Sequence, residues 1–481
     1  MTEIISVLEE FGPMISSELY RHLDIKEENK EAIRQKLSRA NAPIMKIGGF
    51  FSRNQSFIYL QSQFNTDLYV DKLMSAFRDY SAPVYSIIRH IEINHGFIEA
   101  KQLPVYSFYP IENLKGHKNV NNIIEILKKV QILEQDGDCI KLHNKIYTYT
   151  SNSYRNFKAL ELAKTTVLNQ FNIWARSIKI TSYYSGDNYK EFGKFLWSYT
   201  AVSYINVMRD KNKYGYILAD IVLGEVQDLE IIKFFLEKVK FLKNQKGLYS
   251  FQPFLLLENP SIEIIDSLKN HGVIVGTLDY LFGMGYTKSL RDLIVSINEI
   301  GKIINNDNSK FLKVIDKIEK LSGGKTINLR GDLFEFVVAY YHSTKASTVE
   351  IGKILKLDYL NSKESDIVAF YSNQTIVFAE CKALKARLDY YYVENWINER
   401  IPFMYKWVRE QNVYNNYNVK FELWSTGGFE DNALKALEQT SSTKKYQVEY
   451  YDFNTINAKL KSLKSKKVND LIRDYFVNSE V

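Results

Sequence analysis

Ser365-Asp366-Ile367-Val368-Ala369-Phe370, then Ser372-Asn373-Gln374, then Ile376-Val377-Phe378-Ala379-Glu380-Cys381-Lys382: the fold is read from this stretch. Its flanks are short runs of β-branched and aromatic residues around a polar break, which predicts two buried strands joined by a tight hairpin. An antiparallel register across that break sets Asp366 opposite Glu380. Two carboxylates facing each other are destabilising, and burying each unpaired one costs on the order of several kcal/mol, so a divalent cation or a raised pKa is required. Lys382 follows Glu380 by two residues and shares its face. Two acids and an amine on one sheet face are the equipment of metal-dependent phosphodiester hydrolysis, with Lys382 orienting or deprotonating water or offsetting charge on phosphorus oxygens.

An acid-x-Lys string alone carries no weight. Asp24-Ile25-Lys26, Glu28-Asn29-Lys30 and Glu99-Ala100-Lys101 also match it in ordinary polar sequence. Glu380 and Lys382 differ because their strand is apolar on both faces, as in a sheet covered by helices. A third acid, Glu335, lies in Arg330-Gly331-Asp332-Leu333-Phe334-Glu335-Phe336-Val337-Val338-Ala339-Tyr340-Tyr341, a helix apolar nearly all round. A lone carboxylate there is either part of the same site or a salt-bridge partner of Arg330 or Lys382.

Further along come a helix through Trp396 to Arg409, a strand Val419 to Ser425, Gly427-Gly428-Phe429, a helix Asn432 to Gln439 and a strand Tyr446 to Tyr451. Over residues 329 to 453 this arrangement resembles the PD-(D/E)xK, restriction-endonuclease-like nuclease superfamily, in its Mrr-type branch, with Ser365 standing where the motif has proline. The resemblance implies an α/β/α nuclease domain and Mg²⁺, with Mn²⁺ as substitute, held by Asp366, Glu380 and the Cys381 backbone carbonyl. It further implies that Glu335 acts directly or through water and that Lys382 is the catalytic amine. The implied activity is DNA endonuclease, in prokaryotic restriction or anti-phage defence, with a homodimer as the state that cuts both strands.

Upstream, residues 1–66 read as three helices and a hairpin, an order that resembles a winged helix-turn-helix. Lys30, Arg34, Gln35, Lys36, Arg39 and Arg53 are its candidate contacts to double-stranded DNA, while Ala32, Ile33 and Leu37 can face inward. The competing reading is a solvated surface on a protein-binding module. Residues 67–150 suggest a second such module, with a helix over Leu73 to Ile93 broken at Pro83, a hairpin around Asp136-Gly137, and a basic rim of Lys128, Lys129, Lys141 and Lys145. Residues 151–290 read as α/β, and Leu218-Ala219-Asp220-Ile221-Val222 can be laid over Phe378 to Lys382 with valine in place of the lysine, as in a degenerate nuclease-like domain, with an unrelated three-layer α/β domain as the alternative. A helical linker over 291–325, broken at Ser322-Gly323-Gly324, the nuclease-like domain over 326–456 and a C-terminal helix over 457–481 complete an α/β multidomain chain.

A chain of 481 residues with 45% apolar and 25% charged residues fits two to four folded domains. Cys139 and Cys381 are the two cysteines, with no disulfide or zinc spacing. The formal charge of +7 is compatible with nucleic acid without demanding it. No apolar run is long enough for a bilayer and no signal layout is present, so a cytoplasmic protein with no membrane partner is expected. The rival function is a DNA-binding regulator or assembly protein whose nuclease-like domains are inactive. An RNA-directed nuclease ranks last because no stacking-aromatic motif is present. A partner ATPase is left open.

Overall fold

The computed structural model describes residues 2–25, 30–39, 42–112, 119–150, 152–205, 214–226, 228–299, 308–322, 330–358, 361–440 and 445–476. The chain is α/β and multidomain, with four sheets among the described residues. The N-terminal part runs α1 (Thr2–Phe11), β1 (Met14–Ile15), α2 (Ser16–His22), α3 (Lys30–Ser38), β2 (Ile44–Gly48) and β3 (Ser56–Leu60), with sheet order β1-β3-β2. Ile4, Leu8, Leu19, Leu37, Ile44 and Ile58 form its core. Ala32 is exposed, so α3 turns Leu37 and the half-buried Ile33 inward. Lys26, Glu28, Asn29, Ala40 and Asn41 lie outside the described residues.

Next come α4 (Asp67–Tyr80), α5 (Ala82–Ile93), β4 (Phe97–Glu99), α6 (Val120–Lys129), β5 (Leu133–Asp136) and β6 (Cys139–Leu142), with sheet order β4-β6-β5. The break falls at Ser81, and Pro83 opens the second helix, where its missing N–H costs nothing. Gly137 takes φ 58° in the expected hairpin turn. Of the expected basic rim, Lys141 is buried: its Nζ lies 3.5 Å from both Glu134 and Asp136 and donates to Ser362 Oγ at 3.1 Å.

Two five-stranded sheets follow. The first has α7 (Ser153–Ser177), β7 (Asp187–Phe192), β8 (Phe195–Ser203), β9 (Gly215–Val226), α8 (Leu229–Lys243), β10 (Phe251–Pro260), α9 (Ile262–Asn270) and β11 (Ile274–Thr277). After α10 (Leu278–Phe282), α11 (Tyr286–Asn298) and α12 (Asn308–Leu321), the second has α13 (Arg330–Ser343), β12 (Thr348–Lys356), β13 (Ser362–Tyr371) and β14 (Thr375–Lys382). It continues through α14 (Tyr390–Asn395), a π-helical turn (Trp396–Arg400), α15 (Ile401–Glu410), β15 (Asn418–Ser425), α16 (Asp431–Thr440) and β16 (Gln447–Tyr451), and α17 (Phe453–Lys461) and α18 (Lys466–Leu471) close the chain.

The two sheets repeat one topology. Each runs in sequential strand order, its first three strands antiparallel and its last three parallel through helical crossovers. They also share a core: Tyr199, Ala219 and Ile221 of one and Ile367, Ala379 and Cys381 of the other belong to a single apolar cluster with α7 and α13. The segment expected as a linker is helical where described but carries Leu293, Ile297, Ile315 and Ile318 into that cluster, and Gly323 and Gly324 lie outside the described residues. The other face of the C-terminal sheet, with Val368, Ile376 and Phe378, packs under α14, α15 and α16.

Candidate active site

The β13–β14 hairpin has the register expected from the sequence, with Tyr371 opposite Thr375 and Ile367 opposite Ala379. One step further, the ladder gives way to side chains. Asp366 and Glu380 occupy the opposed positions, 6% and 3% exposed, and Asp366 Oδ2 accepts from Cys381 N–H at 2.7 Å. Side-chain alternation turns Glu380 and Lys382 to one face, where Lys382 Nζ lies 3.1 Å from Glu380 Oε1.

Two partners that sequence reading missed close on Glu380. Asp389 caps α14 by accepting from Tyr392 N–H at 2.8 Å, which fixes Tyr392 so that its hydroxyl donates to Glu380 Oε1 at 2.8 Å. Arg400 ends the π-helical turn, where Pro402 has no N–H to continue the α-helical ladder. Its Nη2 lies 3.0 Å from Glu380 Oε2 and donates to the Glu364 carbonyl at 2.7 Å. The Arg400 contact lacks hydrogen-bond alignment, so Glu380 Oε2 is buried without a donor. The loop after Lys382 is pinned by Gly427, where a Cβ would meet the Ala386 carbonyl at 1.9 Å.

Charge is distributed unevenly. Burial pushes the Glu380 carboxyl up, but Arg400 and Lys382 outweigh it and hold it at about 2. Asp366 is raised by burial and then by Glu380. Burial works against the Lys382 ammonium, yet Glu380 keeps its pKa well above that of an ordinary lysine. Glu335 is pushed up to about 8 by burial, with Asp366 and Asp332 adding to the rise and Lys158 opposing it. Neither Arg330 nor Lys382 is its ion-pair partner. Lys158 of α7 reaches in from the preceding sheet's helix, 3.4 Å from Glu335 Oε1 and 3.5 Å from Asp332 Oδ1. Arg330 instead donates to Thr426 Oγ1 at 2.9 Å and to the Leu384 carbonyl at 3.2 Å.

The donor set suits a hard, oxygen-seeking cation: two buried carboxylates on adjacent strands, one oxygen of which lacks a donor. Among the described residues no three His, Cys, Asp or Glu side chains are arranged around one metal position, and Glu335 is paired with Lys158.

In the twin sheet the corresponding position is shut. The β8–β9 ladder ends at Tyr199 opposite Ala219, so Ser198 and Asp220 stand where Asp366 and Glu380 stand. Asp220 is fully buried, accepts from Ser198 N–H at 2.8 Å and pairs with Lys238 at 2.5 Å. Lys238 also donates to the Val105 and Leu196 carbonyls at 2.9 and 3.0 Å, which uses all three of its protons.

Arg34, Gln35 and Lys36 of α3 are exposed, as is Arg39 in the turn that follows it, Lys30 is half-buried, and Arg53 is exposed at φ 54° in the turn before β3. Arg34 pairs loosely with Glu31 at 3.6 Å. None of these residues belongs to the sheet that carries Asp366 and Glu380.

No family model and no curated protein matches the chain. Among solved structures, a match to protein VC1899 from Vibrio cholerae covers 45% of this chain and 49% of that one, at 10% identity and a TM-score of 0.17. The chain thus spans about half the length of that protein, at a score too low to show a shared fold.

Proposed function

We propose that the chain is a Mg²⁺-dependent DNA endonuclease of the PD-(D/E)xK kind, with Mn²⁺ as substitute, working in the cytoplasm in restriction or anti-phage defence. The carrying observation is Asp366 set against Glu380, with one Glu380 oxygen lacking a donor and Lys382 beside it. Asp366, Glu380 and the Cys381 carbonyl would hold the metal. When bound, Mg²⁺ supplies Lewis acidity and an activated water. Lys382, beside Glu380, would orient or deprotonate the attacking water or offset charge on the phosphoryl oxygens. Tyr392 and Arg400 orient Glu380. In this reading the N-terminal module is a winged helix that grips duplex through α3, and the sheet holding Asp220 is a nuclease-like domain that has lost its site.

The test is incubation with supercoiled plasmid, linear duplex and single strands in Mg²⁺, beside Lys382→Ala and Asp366→Ala. Cleavage should fall at least about a hundredfold in each variant while duplex binding persists. Cleavage that survives both would overturn the site. A second reading, a DNA-binding regulator with idle nuclease-like domains, is favoured by the cations already seated on Glu380 and Glu335. It predicts tight, salt-sensitive duplex binding with no cleavage of any nucleic acid.

A further inference from the structure

Toward the opposite end of β14 from Lys382, the hairpin turn, the starts of β15 and β16 and the end of α13 line an open cleft of about 710 Å³. Thr375 at the turn end of β14 is seven residues from Lys382, about 23 Å at roughly 3.3 Å per residue, and the wall residue Val377 is five residues from it. The volume is in the range of small-molecule sites. Its wall has one buried acid, Glu422, and that acid is already satisfied. Glu422 Oε2 accepts from Trp424 Nε1 at 2.9 Å and lies 3.3 Å from His342 Nε2, while Oε1 lies 2.9 Å from Lys420 Nζ. Burial raises its pKa, but His342 and Lys420 bring it down to about 2, so it is a settled carboxylate.

The other charges lining the cavity are positive. Lys345, Lys445 and Lys459 have no carboxylate within ion-pair distance among the described residues. Lys345 sits 4.4 Å over the Tyr341 ring and donates to its hydroxyl at 3.0 Å, and Lys459 sits 4.2 Å over Tyr451. Such cation–π contacts place an ammonium without neutralising it. Half-buried Tyr371 and Tyr446 add aromatic surface, the first fixed by its hydroxyl on His342 Nδ1 at 2.8 Å, the second by Tyr405 and Phe421 at 5.4 and 5.2 Å. Uncompensated ammonium groups beside anchored rings match a ligand with several negative charges and a flat aromatic group.

We propose that this cavity binds a nucleoside phosphate, its phosphates on Lys345, Lys445 and Lys459 and its base against Tyr371 or Tyr446. The site is separate from Asp366 and Glu380 and does not depend on their activity. The test is calorimetry on the full chain in EDTA with AMP, ATP and inorganic tripolyphosphate, followed by displacement of a fluorescent AMP analogue by a 5′-phosphorylated oligonucleotide. AMP and ATP should bind saturably, and Lys345→Ala combined with Lys459→Ala should weaken both about tenfold or more with the melting temperature kept. Lys445→Ala, at an exposed position, is the second variant and should weaken ATP more than AMP. Oligonucleotide displacing the probe better than ATP assigns the site to strand ends, and the reverse assigns it to free nucleotide. No binding at millimolar nucleotide, binding indifferent to all three substitutions, or tripolyphosphate bound as tightly as ATP would overturn the proposal.

Discussion

Arg400 Nη2 bridges two strands, lying 3.0 Å from the Glu380 carboxylate while donating to the Glu364 carbonyl at 2.7 Å. Together with Lys382 it supplies the positive charge that offsets the repulsion between Asp366 and Glu380. Arg400→Met should cost about 3–5 kcal/mol in metal-free buffer. Thermal melts in EDTA and in Mg²⁺ check this: the variant should recover more of its melting temperature on adding Mg²⁺ than the parent gains. Equal gains would show that the cation does not replace Arg400.

Lys158 joins the helix of one sheet to the acids of the other. A double-mutant cycle of Lys158→Met with Glu335→Gln should return a coupling of about 1–3 kcal/mol in urea unfolding. Strict additivity would mean that the 3.4 Å pair is energetically idle.

One Asp366–Glu380 pair per chain, with Ser198 and a Lys238-paired Asp220 at the matching position of the twin sheet, predicts one cut per bound monomer. On supercoiled plasmid at limiting protein, open circles should accumulate before linear product, with linear forming from a second, slower hit. Linear product from the first time point would require two working sites acting together.

Arg34→Ala with Arg39→Ala should weaken duplex binding and flatten its salt dependence, each lost phosphate contact removing about 0.9 from the slope of log affinity against log salt. Fluorescence anisotropy over a salt series reads both quantities. Unchanged binding would assign α3 to protein contacts.

His90 is buried against Tyr106 and Phe234, its Nδ1 2.8 Å from the Ser86 carbonyl. Burial lowers its pKa from 6.5 to about 3, with Lys164 and Lys238 adding to the fall. The neutral ring is the folded form, so its contribution is complete above pH 6.5 and declines as pH falls toward 3, by about 1.4 kcal/mol per unit. Urea unfolding at pH 7 and pH 5 should show a shallower acid loss in His90→Gln than in the parent.

The β13–β14 hairpin was legible because alternation fixes a two-residue period and three polar residues fix the turn, which together set Asp366 against Glu380. What surrounds Glu380 was not. Arg400 depends on a π-helical turn, and Lys158 meets Glu335 across 177 residues, a pairing with no local signal. Tyr392 carried a trace: Asp389 three residues earlier is an N-cap pattern, which fixes where the helix begins. Strand β7, Asp187–Phe192, was hidden because it is an edge strand, largely polar and half-exposed. Residues 291–325 read as a connector in the sequence because an apolar stripe does not announce which partner covers it.

The apolar layer between the twin sheets gives the sealed one a reason to persist. Were the chain cut back to residue 330 onward, Phe334, Val338 and Ala379 would lose the neighbours they share with Phe171, Leu290 and Ile315, and that much exposed hydrocarbon drives aggregation. A sheet whose acid and amine are paired with each other thus still covers the apolar face of its sister, so removing it should cost solubility whatever its own chemistry.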